Sequence, residues 1–93
     1  MTFTYHQDPG HGWLEVSPAA LSDLGLSVFD FSSYSYVGPA GGEYPNPLRY
    51  YLEEDCDMSK FMNVFWEKHG KYPNLHAVYS DPCFIRDLPR IGE

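Results

Sequence analysis

Apolar and polar residues alternate at the start of the chain. Phe3 and Tyr5 alternate with polar neighbours over residues 2–6, which predicts a short strand with both rings facing inward. A turn-forming run with proline and glycine occupies 7–12, and the apolar residues of 13–16 predict a returning strand. The pattern therefore predicts a β-hairpin with a six-residue loop.

A helix start follows the hairpin at Ser17 and Pro18. A serine hydroxyl caps free backbone amides, and proline fits the first helical position. The apolar residues of 19–24 continue the pattern, and Gly25 can close the helix in the left-handed conformation. We expect a short helix of about two turns.

Residues 28–37 have the composition of a strand, but the parity of their aromatic residues changes. Phe29 and Phe31 share one face, whereas Tyr34 and Tyr36 share the other. This pattern predicts a strand with a bulge or bend between the two pairs.

Residues 37–47 contain three glycines and three prolines and are predicted to form a long loop. The next strand is predicted at 48–53, with three apolar side chains on its core face: Leu48, Tyr50 and Leu52.

The second helix has the clearest pattern in the chain. It is predicted over 58–69, with an apolar stripe at i, i+3, i+4 and i+7 formed by Met58, Phe61, Met62 and Phe65. Gly70 ends the helix, and Pro73 prevents it from continuing.

The order of elements, ββαββα(β), predicts an α+β fold with a mostly antiparallel sheet and two helices. Residues 76–79 provide the optional last strand, and 80–93 are predicted to form an irregular tail laid over the core. A chain of 93 residues is long enough for one domain, so we expect a single domain over 1–93.

The charge balance narrows the class of partner. The chain has 13 acidic and 6 basic residues and a formal charge of -7, and residues 1–48 contain no Lys or Arg. Direct binding of nucleic acid is not expected, because phosphate contacts need clustered basic side chains. With no apolar run near ~20 residues and no export signal, we expect a cytoplasmic protein that does not contact a membrane.

The run Glu53-Glu54-Asp55-Cys56-Asp57 supports two interpretations. Asp55 or Asp57 can cap the second helix, where the helix dipole favours carboxylates. The same run can form an acidic recognition patch for a basic protein surface. A pair of catalytic carboxylates is disfavoured. A carboxyl that acts as a general acid needs a raised pKa, whereas a helix N-terminus lowers the pKa of a nearby carboxyl.

Four residues could support metal or thiol chemistry: His6, His11, Cys56 and Cys83. The two cysteines lie far apart in sequence and lack the close spacing typical of zinc sites, so reduced thiols are expected. Signatures for nucleophilic serine, phosphate loops and dinucleotides are absent from the sequence. We therefore predict no cofactor and no enzymatic activity, with a small metal or thiol enzyme as the weaker alternative.

Tyrosines beside acidic residues are typical of protein interfaces, where aromatic rings anchor a complex and charges steer it. Tyr34 and Tyr36 are predicted to face solvent, and Tyr51 points away from Leu52. The predicted partner-binding set is therefore Glu43, Glu53, Glu54, Asp55, Asp57, Tyr34, Tyr36 and Tyr51.

Three blocks resemble a family of small proteins encoded by phages, prophages and plasmids: DPGHGWLEV at 8–16, SSYSY at 32–36 and YLEEDCD at 51–57. The resemblance implies a protein of a mobile element that acts in a bacterial cytoplasm, and it implies no catalytic residues. Small acidic phage proteins include inhibitors of host defence such as anti-CRISPR proteins, some of which imitate DNA.

Two functions are consistent with these observations. The first is a non-enzymatic, anti-CRISPR-like inhibitor whose local acidic patch occludes a basic DNA or PAM site on an effector subunit. A local patch is favoured over imitation of a whole duplex because -7 is a modest charge. The second is an interaction or regulatory module of a mobile element, with a homodimer as one form.

Overall fold

The computed structural model describes residues 1–92, which form a five-stranded sheet with two helices. The strands are β1 (Thr2–Gln7), β2 (Gly12–Val16), β3 (Tyr36–Pro39), β4 (Leu48–Glu53) and β5 (Asn74–Tyr79), and the helices are α1 (Pro18–Asp23) and α2 (Asp57–His69). The strand order is β3-β4-β2-β1-β5, with β5 parallel to β1 and every other pair antiparallel. The predicted α+β class with a mostly antiparallel sheet is confirmed.

Both helices pack on one face of the sheet. Leu14 of β2 lies opposite Leu52 of β4, and both are fully buried beneath α2. The predicted stripe of α2 supplies Phe61 and Phe65 to this core, and the ring of Phe3 packs edge-on against both. Burial of each such side chain contributes about 1.5–3 kcal/mol to the free energy of unfolding, so this layer is a main source of the attachment of the helices to the sheet.

Most of the C-terminal segment, 83–91, covers the opposite face of the sheet, whereas its Ile91 is buried in the core beneath the helices. Cys83 and Ile85 are buried against the rings of Trp13, Tyr36 and Tyr51. This C-terminal segment contains a short 3₁₀ turn at Phe84–Asp87 and otherwise lacks regular structure. The tail predicted over 80–93 thus includes one short helical turn; Glu93 lies outside the described residues.

The first helix begins and ends as its sequence predicts. The Ser17 hydroxyl accepts a hydrogen bond from the Ala20 amide at 3.1 Å, and Gly25 adopts a positive φ of 72°. The amides of Gly25 and Leu26 donate to the last helical carbonyls, a Schellman arrangement that glycine makes possible.

The predicted strand over 28–37 is wrong in its first part. Val28–Asp30 forms a 3₁₀ turn, Phe29 is 93% exposed, and the strand begins only at Tyr36. The Ser27 side chain accepts from the turn while the Asp30 carboxylate accepts from the Ser27 amide. These local hydrogen bonds satisfy the backbone and compete with a sheet ladder.

Two further elements differ in extent from their predictions. The hairpin loop is shorter than six residues, because Gln7 and Gly12 already pair. The last strand is longer than predicted and spans Asn74–Tyr79.

Among residues 1–92, no helix has the length and apolar character needed to cross a membrane.

Candidate functional site

A cleft of about 270 Å³ opens on the face of the sheet that the C-terminal segment covers. Four parts of the chain meet there: the β1–β2 loop, the residues before β3, the β4–α2 junction and the C-terminal segment. The lining residues are His11, Trp13, Tyr34, Tyr36, Glu53, Asp55, Cys56, Arg86 and Arg90. Four of the eight predicted partner-binding residues are thus brought together: Tyr34, Tyr36, Glu53 and Asp55.

Glu53 lines the cleft and accepts hydrogen bonds from backbone amides just before the second helix. Its carboxylate is largely buried and accepts hydrogen bonds from the Asp55 amide at 3.0 Å and the Cys56 amide at 3.1 Å. The predicted capping role of Asp55 or Asp57 is therefore wrong, since Cys56 is the N-cap residue and makes no side-chain capping bond. Glu53 satisfies these amides from the end of β4 instead.

Asp57 holds in place the segment that carries Tyr34, an exposed residue at the rim of the cleft. One oxygen of its buried carboxylate accepts from the Ser32 amide at 2.9 Å, the Ser32 hydroxyl at 2.8 Å and the Ser35 hydroxyl at 2.5 Å. Ser35 Oγ in turn accepts from the Glu53 amide at 2.9 Å. This network fastens the segment that carries Tyr34 to α2, and Tyr34 itself is 63% exposed at the rim.

Aromatic rings form the floor of the cleft, and two arginines stack on them. The rings of Trp13 and Tyr36 meet edge-to-face with centroids 6.2 Å apart. The guanidinium of Arg86 lies 5.2 Å from the Trp13 ring centroid, and that of Arg90 lies 5.4 Å from the Tyr36 ring centroid. Such cation–π contacts hold the C-terminal segment against the sheet.

Arg86 also forms an ion pair across the edge of the cleft. Its Nε and Nη2 donate to the two oxygens of Asp8, the latter at 3.0 Å. The Arg86 guanidinium holds the pKa of the Asp8 carboxyl well below its usual range, and the carboxylate raises the pKa of Arg86. Asp8 balances the charge of Arg86, so this arginine adds little net charge to the cleft.

The structure contradicts the expected exposure of two tyrosines. Tyr51 is 0% exposed, its hydroxyl donates to the Pro39 carbonyl at 3.0 Å, and burial raises its pKa. Tyr36 is also buried and presents only the floor of the cleft. The prediction assumed that one face of the sheet is solvated, whereas the C-terminal segment covers that face and buries the alternate residues too.

The predicted acidic patch is also broken up. Glu53 and Asp57 are buried and bonded within the fold, so neither is available as an exposed contact. Glu54 is half-buried and accepts a hydrogen bond from the Tyr5 hydroxyl at 2.7 Å. Burial and the Glu54 carboxylate together raise the pKa of Tyr5 to about 12. Glu43 is exposed on the loop before β4 and does not line the cleft.

The four candidate metal or thiol residues do not meet at one place. His6 Nε2 lies 2.8 Å from Glu15 Oε1, and Cys83 is buried against the rings of Trp13 and Tyr51. His11 and Cys56 line the cleft. Within residues 1–92, no group of three or more His, Cys, Asp and Glu side chains is placed to hold a metal ion.

Sequence analysis missed the contributions of Trp13, His11 and the two arginines to the cleft. Arg86 and Arg90 lie in the predicted tail, and an irregular tail carries no periodicity that assigns its side chains to a face. The apolar positions Cys83 and Ile85, two residues apart, were the available signal that this tail is anchored on a sheet.

No protein-family model matches this chain, and neither the curated proteins nor the solved structures include a significant match.

Proposed function

We propose that the protein is a non-enzymatic inhibitor of a bacterial defence complex of the CRISPR type, acting in the cytoplasm of the host. It binds a basic site on an effector subunit through the cleft and thereby occludes the nucleic acid from that site. The observation that carries the proposal is that two exposed side chains, the Tyr34 ring and the Asp55 carboxylate, line the same cleft.

This rim suits a partner's arginine or lysine side chain. The apolar stem of such a side chain packs on an aromatic ring, and its charged end pairs with a carboxylate. Asp55 is exposed and accepts no hydrogen bond from any described residue, so its carboxylate is available to a partner. The buried Glu53 carboxylate does not contact the partner, but its negative charge lies in the wall of the same cleft.

The overall charge supports a basic protein surface as the target. A chain of charge -7 is repelled by phosphate backbones and attracted to the positive channels that bind them. The resemblance of three sequence blocks to proteins of mobile elements supports the bacterial setting of this proposal.

The experiment that tests the proposal is capture of effector complexes by the tagged protein, followed by titration of the binding partner found. Asp55→Lys and Tyr34→Ala each remove one feature of the rim, and we expect each to weaken binding about tenfold or more. Glu67→Lys is the matched control, because Glu67 is exposed on α2 and does not line the cleft. Glu53 is unsuitable for this test, since its substitution would disturb the start of α2.

The proposal requires a stoichiometric effector subunit whose binding is weakened by salt and by both rim substitutions. Binding that Asp55→Lys and Glu67→Lys reduce equally would show that only net charge matters and that the cleft is not the contact surface. If no effector subunit is captured, the inhibitor is contradicted and an interaction module of the mobile element is favoured, whether or not the chain associates with itself.

A further inference from the structure

The two edges of the sheet differ in whether their backbone groups have hydrogen-bond partners. At the β3 edge, the C-terminal segment supplies backbone partners: the Val37 amide donates to the Pro89 carbonyl at 2.9 Å, and the Ile91 amide donates to Ser35 at 2.8 Å. At the other edge, β5 pairs only with β1, and its outer side has no backbone partner among the described residues. One edge is closed and the other is open.

The outward-facing groups of β5 follow from its pairing with β1. The Asn74 amide donates to the carbonyl of Met1, just before β1, and the Ser80 amide donates to that of Gln7. Alternate residues of a strand direct their backbone groups to opposite sides. Leu75, Ala77 and Tyr79 therefore direct their N–H and C=O groups away from the sheet. These three side chains also share the helix side, because the register places Leu75 beside Phe3.

This edge lacks the usual protection against pairing. Exposed edge strands normally carry lysine, proline or an inward-pointing charge, whereas β5 spans six residues, Asn74–Tyr79, without Lys, Arg, Asp, Glu or Pro. Its outward-facing residues also expose apolar surface, with Leu75 at 40% and Tyr79 at 65% exposure. A strand of this kind is a template for pairing with another strand.

We propose that β5 pairs antiparallel with β5 of a second copy of this chain, with the two-fold axis passing between the two Ala77 residues. A two-fold axis perpendicular to the sheet places the helix side of both copies on the same face of the joined sheet. Odd-numbered residues of one β5 must therefore lie opposite odd-numbered residues of the other. In this register Leu75 lies opposite Tyr79 of the other copy, twice. The three outward-facing residues then form hydrogen-bonded pairs, which exchange about six backbone bonds.

The charges that flank β5 favour the same arrangement. Lys71 precedes the strand and Asp81 follows it. Antiparallel pairing brings the start of one strand to the end of the other, so opposite charges approach at both ends. Parallel pairing would place the two lysines together.

A neighbouring register has the same parity but makes a poorer interface. With the axis at His76, Tyr79 would lie opposite Pro73 of the other copy, and proline has no N–H to donate. Leu75 would then face only the small side chain of Ala77. The Ala77-centred register pairs the larger apolar side chains and keeps every donor.

The test is charge reversal on the two-fold axis, read by size exclusion with light scattering. Ala77→Lys and Ala77→Glu each place like charges directly opposite one another, which destabilises a strand pair. We expect each variant alone to be monomeric and an equimolar mixture of the two to form a dimer. Ala19→Lys and Ala19→Glu provide the matched control at an exposed alanine of α1, and these variants should remain dimeric.

Three results would overturn the proposal: a wild-type chain that stays monomeric at its highest soluble concentration, Ala77 variants that stay dimeric, or a mixture that fails to associate. Circular dichroism of each variant shows whether it has kept the fold. The result is independent of the proposed function, because no residue lining the cleft lies on β5.

Discussion

Asp57 has a structural role that its position in an acidic run does not indicate. Its carboxylate is buried at the first position of α2 and accepts three hydrogen bonds from Ser32 and Ser35. The sequence indicated that acids surround a helix start, but it could not distinguish the role of each acid. Those roles depend on serines more than 20 residues away, which lie near Asp57 only in the folded chain.

Replacing Asp57 by alanine should lower the free energy of unfolding by about 3 kcal/mol, because buried donors lose their acceptor. Asp57→Asn should cost less, since the amide oxygen can still accept. Urea denaturation followed by circular dichroism measures both effects. Asp55→Ala is the control and should change stability by at most about 0.5 kcal/mol, because Asp55 is exposed and makes no such bonds. Equal losses at both positions would contradict the assigned roles.

At the scale of elements, the sequence predicted the parts whose signals are local. Both helices, the hairpin and β4 follow from capping residues and apolar periodicity, and all four are present. The strand expected over 28–37 failed because Ser27 and Asp30 satisfy the turn locally. The sequence predicted a tail over the core but not which face of the sheet it covers, since that face is formed by aromatic residues of strands distant in sequence.

The C-terminal segment should contribute to folding as a core element rather than as a loose tail. Ile85 is fully buried against Trp13, Tyr36 and Tyr51. Ile85→Ala removes buried methylenes and leaves a cavity, so we expect a loss of about 2–5 kcal/mol in the free energy of unfolding. Pro89→Ala, at an exposed position of the same segment, provides the comparison in urea denaturation. A loss below about 1 kcal/mol at Ile85 would show that the segment detaches easily.

The Asp8–Arg86 pair should make the attachment of this segment sensitive to acid. The pKa of Asp8 is lower in the folded protein than its ordinary value of 3.8, so the carboxylate stabilises the fold above that pH. The stabilisation is lost progressively as the pH falls below it. The difference in urea midpoint between the wild type and Asp8→Asn should therefore shrink between about pH 6 and about pH 2. A difference that stays constant over this range would contradict the ion pair.

At the scale of the whole molecule, the two proposed association surfaces, the cleft and the open β5 edge, share no residue. The cleft is lined by residues that are distant in sequence, and β5 is an edge strand only because of the order of strands in the sheet. Composition alone could therefore not locate either surface. Composition did fix the net charge of -7, and that charge acts on the two surfaces in opposite directions. Two identical acidic chains repel each other, whereas an acidic chain attracts a basic partner.

Salt should therefore separate the two associations. Raising the ionic strength shortens the Debye length to about 8 Å at 0.15 M and about 3 Å at 1 M. We expect the β5 dimer to strengthen as repulsion between the two copies is screened, because the exposed Lys71 and Asp81 pairs are worth little by comparison. Binding of a basic partner at the cleft should weaken over the same range. Sedimentation equilibrium of the wild type and titration of the captured partner, each across a salt series, measure the two trends. If the dimer and the complex both weakened with salt, the Lys71–Asp81 contacts would outweigh the net charge, and Asp81→Asn would then have to remove the salt dependence of the dimer.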